Sequence, residues 1–210
     1  MRLFNETPEF PSGVRERGGV AAGGAGPRSL MRGVLDHHIR QFQPADEADV
    51  VAVWHRSGIA AYTFLPTWQA FTLEQARRVF NCVIRPNCKV WVGTLDERVV
   101  AYLAMKGASI DRRYVDPMEW RKGWGTQLVN IAKHVSPIGL ELHTHQENFP
   151  ARVFYERHGF RAVKFGLSPP PESAPDVEYH WRPALPHPAD APRPRQAANS
   201  DPVPLQPAPR

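Results

Sequence analysis

The sequence predicts one α/β (α+β) domain over residues 37–183, a mixed central sheet of six to seven strands flanked by helices on both faces. Three observations carry this. The apolar period changes from helical to two-residue near Lys89, strands and helices then alternate as far as Trp181, and the 22 Pro and 15 Gly of the 210 residues crowd towards the chain ends. Strand, helix, strand, helix, strand in the second half implies parallel members with helices on the sheet faces. A chain of this length, 42% hydrophobic and 10% aromatic, builds one ordinary core rather than two.

Taken in order, His38 to Phe42 alternates as a short strand, and Pro44 with Asp46-Glu47 opens a helix carrying Val50, Val51, Trp54 and Ile59. Residues 61–69, with Tyr62, Phe64 and Trp68, break at Pro66 into an aromatic loop. A second helix starts at Thr72, carries Leu73, Ala76, Val79, Phe80 and Val83 at helical spacing, and ends before Pro86. Lys89–Leu95 and Val99–Met105 read as strands joined by an Asp96-Glu97 hairpin turn. A strand over 108–115 leads to a helix from Gly125 to Val135. Residues 138–144 form a strand, 149–158 a helix, and 160–164 and 177–181 two last strands. The ends read differently. The Gly/Ala-rich stretch 18–27 marks 1–36 as a disordered leader, and 9 Pro among the last 28 residues mark 184–210 as a disordered, Pro-rich tail.

Composition excludes several classes. Net charge is +5, no Lys/Arg run reaches five residues, and residues 37–183 hold 18 Lys+Arg against 15 Asp+Glu, a weak basis for nucleic-acid binding. No apolar run approaches ~18 residues, so no membrane span is expected, and the chain reads as cytoplasmic. Cys82 and Cys88 match neither CxxC nor zinc spacing, so reduced thiols are expected. His143 and His145 point the same way along a strand, yet no third ligand has sensible spacing, so no metal is expected.

Chemistry concentrates in Val115-Asp-Pro-Met-Glu-Trp-Arg-Lys-Gly-Trp-Gly-Thr-Gln-Leu-Val129, a strand exit that passes through a Gly-bearing loop into an apolar helix. There the first-turn N–H groups lack intrahelical partners and the dipole adds positive potential, which suits a phosphate. It is neither a Walker A loop nor a dinucleotide fingerprint, and alone it is equally an ordinary β-to-α loop. A second element, Asn148-Phe-Pro-Ala-Arg-Val-Phe-Tyr-Glu-Arg-His-Gly-Phe160, is a short helix with a Gly stop. Together the two resemble the GNAT (GCN5-related N-acetyltransferase) superfamily, the small bacterial type. Asn148, Ala151, Phe154, Tyr155, Gly159 and Phe160 match its second motif. Gly123 and Gly125 match the first, where Trp120 replaces the usual Arg or Gln and Arg121 and Lys122 follow. The resemblance covers about two-thirds of the chain.

It implies the GNAT fold and acetyl transfer from acetyl-CoA, a co-substrate, to a primary amine of a small molecule or peptide by direct attack in a ternary complex. By resemblance, the backbone near Tyr114 and Val115 pairs with the pantetheine arm and thioester. Arg121, Lys122, Gly123, Trp124, Gly125 and Thr126 hold the pyrophosphate, Asn148 bonds the pantetheine, and Tyr155 protonates the departing thiolate as general acid. The base stays open between His143, Glu141 and a water chain. Alternation places Leu140, Leu142 and Thr144 on one face of their strand and Glu141, His143 and His145 on the other. Tyr62, Phe64, Leu65 and Trp68 either wall the acceptor site or are core. A non-catalytic acyl-CoA-binding module, favoured by Trp120, is the alternative. A homodimer is compatible with the sequence, and a small amine is the preferred acceptor.

Overall fold

The computed structural model describes residues 37–184. The strands are β1 (His37–Gln41), β2 (Lys89–Leu95), β3 (Arg98–Lys106), β4 (Ser109–Val115), β5 (Leu140–His145), β6 (Arg161–Leu167) and β7 (Pro175–Trp181). They form one seven-stranded sheet in the order β1-β2-β3-β4-β5-β7-β6. The β2–β3 hairpin closes through Asp96 and Glu97, both at positive φ, the backbone a two-residue turn needs to match the strand twist. β4 and β5 are the parallel neighbours; the other adjacent pairs are antiparallel. β6 and β7 outrun their apolar runs, to Leu167 and from Pro175, because they pair with each other over that length. The expected leader and all of the Pro-rich tail beyond Ala184 lie outside the described residues.

Six helices cover the sheet: α1 (Glu47–Ala61), α2 (Pro66–Gln69), α3 (Leu73–Val79), α4 (Arg85–Asn87), α5 (Trp124–Val135) and α6 (Phe149–Arg157). Thr72 caps α3 as its sequence suggests. Its Oγ1 accepts the Gln75 N–H at 3.2 Å, and the Gln75 side chain accepts the Thr72 N–H at 2.8 Å. Two expectations fail after that. A π turn at Phe80–Ile84 inserts a residue and rotates the helix by roughly 100°, so Ile84 is buried while Val83 is exposed. Pro86 then sits in the first turn of α4, where a missing N–H costs nothing, and the chain stays helical to Asn87. The aromatic loop is also partly helical, because Pro66 opens α2.

Two cores form on opposite sheet faces. Under α1–α3 lie Val50, Trp54, Trp68, Phe80, Tyr102 and Tyr114. Under α5 and α6 lie Leu103, Leu128, Val129, Leu142, Tyr155 and Tyr179. Tyr62, Leu65 and Trp68 are thus core, with Phe64 packed against them. Among the described residues no helix is long and apolar enough to cross a membrane, and both cysteines are free thiols.

Candidate active site

The parallel pair positions the site. β4 and β5 are in register only at Ser109↔Glu141 and Ile110↔Leu142, and beyond those two pairs they part. The gap is the root of a cleft of ≈ 770 Å³ lined by β4, the loop before α5, the first turn of α5, and α6. Along β4 the Asp116 N–H donates to the Val100 carbonyl of β3 at 2.8 Å. A strand alternates its polar edges, so Tyr114 also turns its backbone to β3, while Arg113 and Val115 turn theirs to the gap. This revises the backbone role expected of Tyr114. The Val115 carbonyl already accepts two donors, Ser57 Oγ at 2.8 Å and Trp120 Nε1 at 2.7 Å.

The second of those bonds accounts for Trp120. Its indole is a tie that pins the loop to the end of β4, and it lines the cleft. Arg121, at φ 62°, and Gly123, at φ 92°, make the left-handed steps that turn the loop into α5. The N–H groups of Trp124, Gly125 and Thr126 belong to the first turn and have no carbonyl one turn back; the helix ladder there begins with the Gln127 N–H donating to the Gly123 carbonyl at 3.1 Å. The Trp124 side chain is core, stacked on His37 with centroids 4.9 Å apart, so its offer to the cleft is its backbone. Gly125 has a different reason to be glycine: a Cβ there would lie 2.7 Å from Arg113 Nη1 and 3.2 Å from the Phe154 ring. Lys122 is the predicted residue that does not line the cleft; its Nζ lies 3.3 Å from the buried Glu119 carboxylate.

Asn148 caps α6 through the Ala151 N–H at 3.3 Å and also hydrogen-bonds the Tyr62 hydroxyl. Tyr62 and Tyr114 share a further hydrogen bond. Burial pushes the Tyr62 phenol up to about 12 and raises Tyr114 well above the usual range, so both are neutral near pH 7. Tyr155 is buried in the cleft wall on the α6 side, with its hydroxyl accepting from Arg113 Nε at 3.0 Å.

The three polar residues on β5 separate. Glu141 is exposed, away from the cleft, beside Glu178 and His180, whose Nε2 lies 2.6 Å from the Glu178 carboxylate. His145 is 1% exposed, edge-on to Tyr62 and Phe64, with Nε2 3.2 Å from the buried Glu172 carboxylate. His143 lines the cleft, with Nδ1 3.0 Å from Asp176 Oδ2. Leu142 belongs to the core under α6, so His143, one residue on, faces the α1–α3 side, across the sheet from Tyr155. Asp176, Arg113 and Ser57 were missed by sequence reading, and no local pattern could reveal them: each is brought to the site by strand pairing or helix packing.

The comparisons agree with this geometry. Residues 86–162 match the acetyltransferase (GNAT) domain family. The chain is 28% identical over 127 residues to a peptidyl-lysine N-acetyltransferase, YjaB, of Salmonella typhimurium, covering 60% of this chain and 84% of the relative. The solution structure of apo-form YjaB from Escherichia coli superposes with a TM-score of 0.59 at 22% identity, over 70% of this chain and 97% of that one. The PaiA N-acetyltransferase of Thermoplasma acidophilum, solved with coenzyme A, superposes at 0.54 and 16% identity, over 70% and 99%. The matched segment is a GNAT acetyltransferase domain, and the fold around it is that of the solved GNAT structures. The class of enzyme that this domain defines is an acyltransferase.

Proposed function

We propose that this protein transfers an acetyl group from acetyl-CoA to a primary alkyl amine by direct attack, with Tyr155 as acid and His143 as base. The observation that carries the reading is the parting of β4 and β5 after two residue pairs, with the N-terminus of α5 on one side of the gap. Acetyl-CoA brings an activated thioester and a pyrophosphate. The unpartnered N–H groups of Trp124, Gly125 and Thr126 fit the pyrophosphate, and the gap-facing backbone of Arg113 and Val115 fits the arm.

Tyr155 and His143 line one cleft from opposite faces of the sheet. Direct transfer asks for that separation, a proton acceptor on the amine side and a donor on the thiolate side. Asp176 accepts from His143 Nδ1, which fixes the tautomer that leaves Nε2 free to take a proton from the amine. Tyr62, Ala60 and Ala61 line the amine side. Analogy of fold favours a small amine. The YjaB relatives, named for peptidyl-lysine acetylation, favour a second acceptor with the same reacting group, a lysine side chain. The Trp120–Val115 bond supports a structural role for Trp120 that is compatible with catalysis.

The test follows thiol release from acetyl-CoA with a panel of small alkyl amines and Nα-blocked lysine peptides, on the full chain. Turnover should fall by ~10²–10⁴-fold in Tyr155→Phe and in His143→Ala. Turnover undiminished in both variants would overturn the assignment, and no turnover by the wild type with any amine would overturn the reaction.

A further inference from the structure

The Arg113 guanidinium lies in the cleft, although neither of the motifs that carry the family resemblance contains it. It leaves β4 on the α6 face and donates from Nε to the Tyr155 hydroxyl at 3.0 Å. Its guanidinium carbon lies 4.1 Å from the Phe154 ring centroid and 4.8 Å from that of Tyr155. On its far side is Gly125, where a Cβ would come within 2.7 Å of Nη1. Three contacts therefore hold one side chain, and glycine at 125 leaves room for it.

We propose that Arg113 is a positioning residue for the acid, holding the Tyr155 oxygen as an acceptor so that the phenol's own proton is left for the departing thiolate. The inference rests on the reading of Tyr155 as that acid. A phenol has a single O–H donor, and with its oxygen already accepting from Nε that proton is free to point into the cleft. When the C–S bond breaks, its electron pair goes to sulfur, and the proton passes from the phenol to sulfur. The pair left on the Tyr155 oxygen then faces the positive guanidinium of Arg113. Solvent returns the proton afterwards.

Other titratable groups around Tyr155 are committed elsewhere. Tyr179, on β7, has its ring 6.3 Å away, and its hydroxyl donates to Glu156 at 2.6 Å and accepts from Arg152 at 3.3 Å. Tyr62, at the end of α1, is neutral and bonded to Tyr114 and Asn148. Thr126 and His158, at the start of α5 and the end of α6, bond each other at 3.1 Å. The assignment also gives a place to the charge absent at Trp120: it arrives from β4 and acts on the acid.

The experiment compares Arg113→Met and Arg113→Lys with wild type in the full chain. It reads kcat for the panel amine with the fastest turnover, and KM for acetyl-CoA beside it. Arg113→Met should lower kcat by ~10–100-fold while KM for acetyl-CoA stays within about threefold, the loss expected for one charge-assisted hydrogen bond. In a Tyr155→Phe background the same substitution should add nothing. Arg113→Lys, which keeps the charge on a flexible stem, should recover part of kcat. An unchanged kcat in Arg113→Met, or an equal loss of kcat in the Tyr155→Phe background, overturns the proposal. A Tyr155→Phe enzyme with wild-type kcat overturns the acid reading itself, a separate outcome visible in the single variant.

Discussion

Replacing Gly58 with alanine sets two effects of opposite sign against each other. Gly58 lies within α1, and alanine in a helix interior is favoured over glycine by about 1 kcal/mol. The added Cβ, however, would stand 1.9 Å from Cζ3 of Trp68 and 2.5 Å from Cε3 and Cη2. Ordinary carbon contacts need ~3.5–4.0 Å, so the indole must retreat by roughly 1.5 Å. It has little room. Trp68 is 2% exposed, packed against Tyr62, Phe71 and Trp54 at 5.1, 5.3 and 6.3 Å between centroids, and its Nε1 donates to Glu172 at 3.0 Å. Overpacking of this kind costs about 1–3 kcal/mol, and a buried N–H or carboxylate left unpaired costs about 1–3 kcal/mol more. The clash wins. Gly58→Ala is expected to lose about 2 kcal/mol net in urea denaturation followed by tryptophan fluorescence, and to lower Tm by about 6 °C. Acetyl transfer should fall as well, since Tyr62, which lines the cleft, leans on the displaced ring. In a Trp68→Leu background the same substitution should turn neutral or stabilising, a coupling of about 2 kcal/mol. A Gly58→Ala protein as stable as wild type would refute the reasoning, because helix propensity would then have outweighed the contact.

Gly123→Glu puts a carboxylate at the N-terminus of α5 and should abolish acetyl-CoA binding in calorimetry, whereas Gly123→Ala, whose Cβ meets Gln127 Nε2 at an ordinary 4.0 Å, should lose only the ~1–2 kcal/mol of a left-handed alanine. Binding retained by the Glu variant would remove the pyrophosphate from that helix end. Arg40 clamps the Asp46 carboxylate with two 2.7 Å hydrogen bonds, and the Gln43 N–H adds a third; these hold the Asp46 carboxyl below its ordinary range, against the opposing effect of burial. A depressed carboxyl stabilises the fold above its unfolded value near pH 4, and that contribution is lost as pH falls through the folded value. Asp46→Asn should therefore cost about 1 kcal/mol at pH 7, a modest figure because Arg40 is partly solvated, and the gap to wild type should close as the pH is lowered below about 4 in denaturation curves.

The sequence by itself determined the alternation of elements. It placed the β2–β3 turn at Asp96-Glu97, the start of the second helix at Thr72 and the two motif segments, because each depends on residues a few positions apart. It could not see the π turn at Phe80–Ile84, since one inserted residue leaves apolar spacing nearly unchanged while rotating everything after it. Nor could it sort the β5 side chains. Alternation put Glu141, His143 and His145 on one face correctly, but which of them meets solvent, cleft or core depends on what packs over that face. Glu141 lies beside Glu178 and His180 across the β5–β7 ladder, His143 meets the cleft and Asp176, and His145 is covered by Tyr62, Phe64 and Glu172. Tertiary structure alone decided the partners of Tyr155 and His143. Arg113 reaches Tyr155 across 42 residues and Asp176 reaches His143 across 33, distances over which chain spacing carries no information; the packing of α6 on the sheet sets the first and the pairing of β5 with β7 the second.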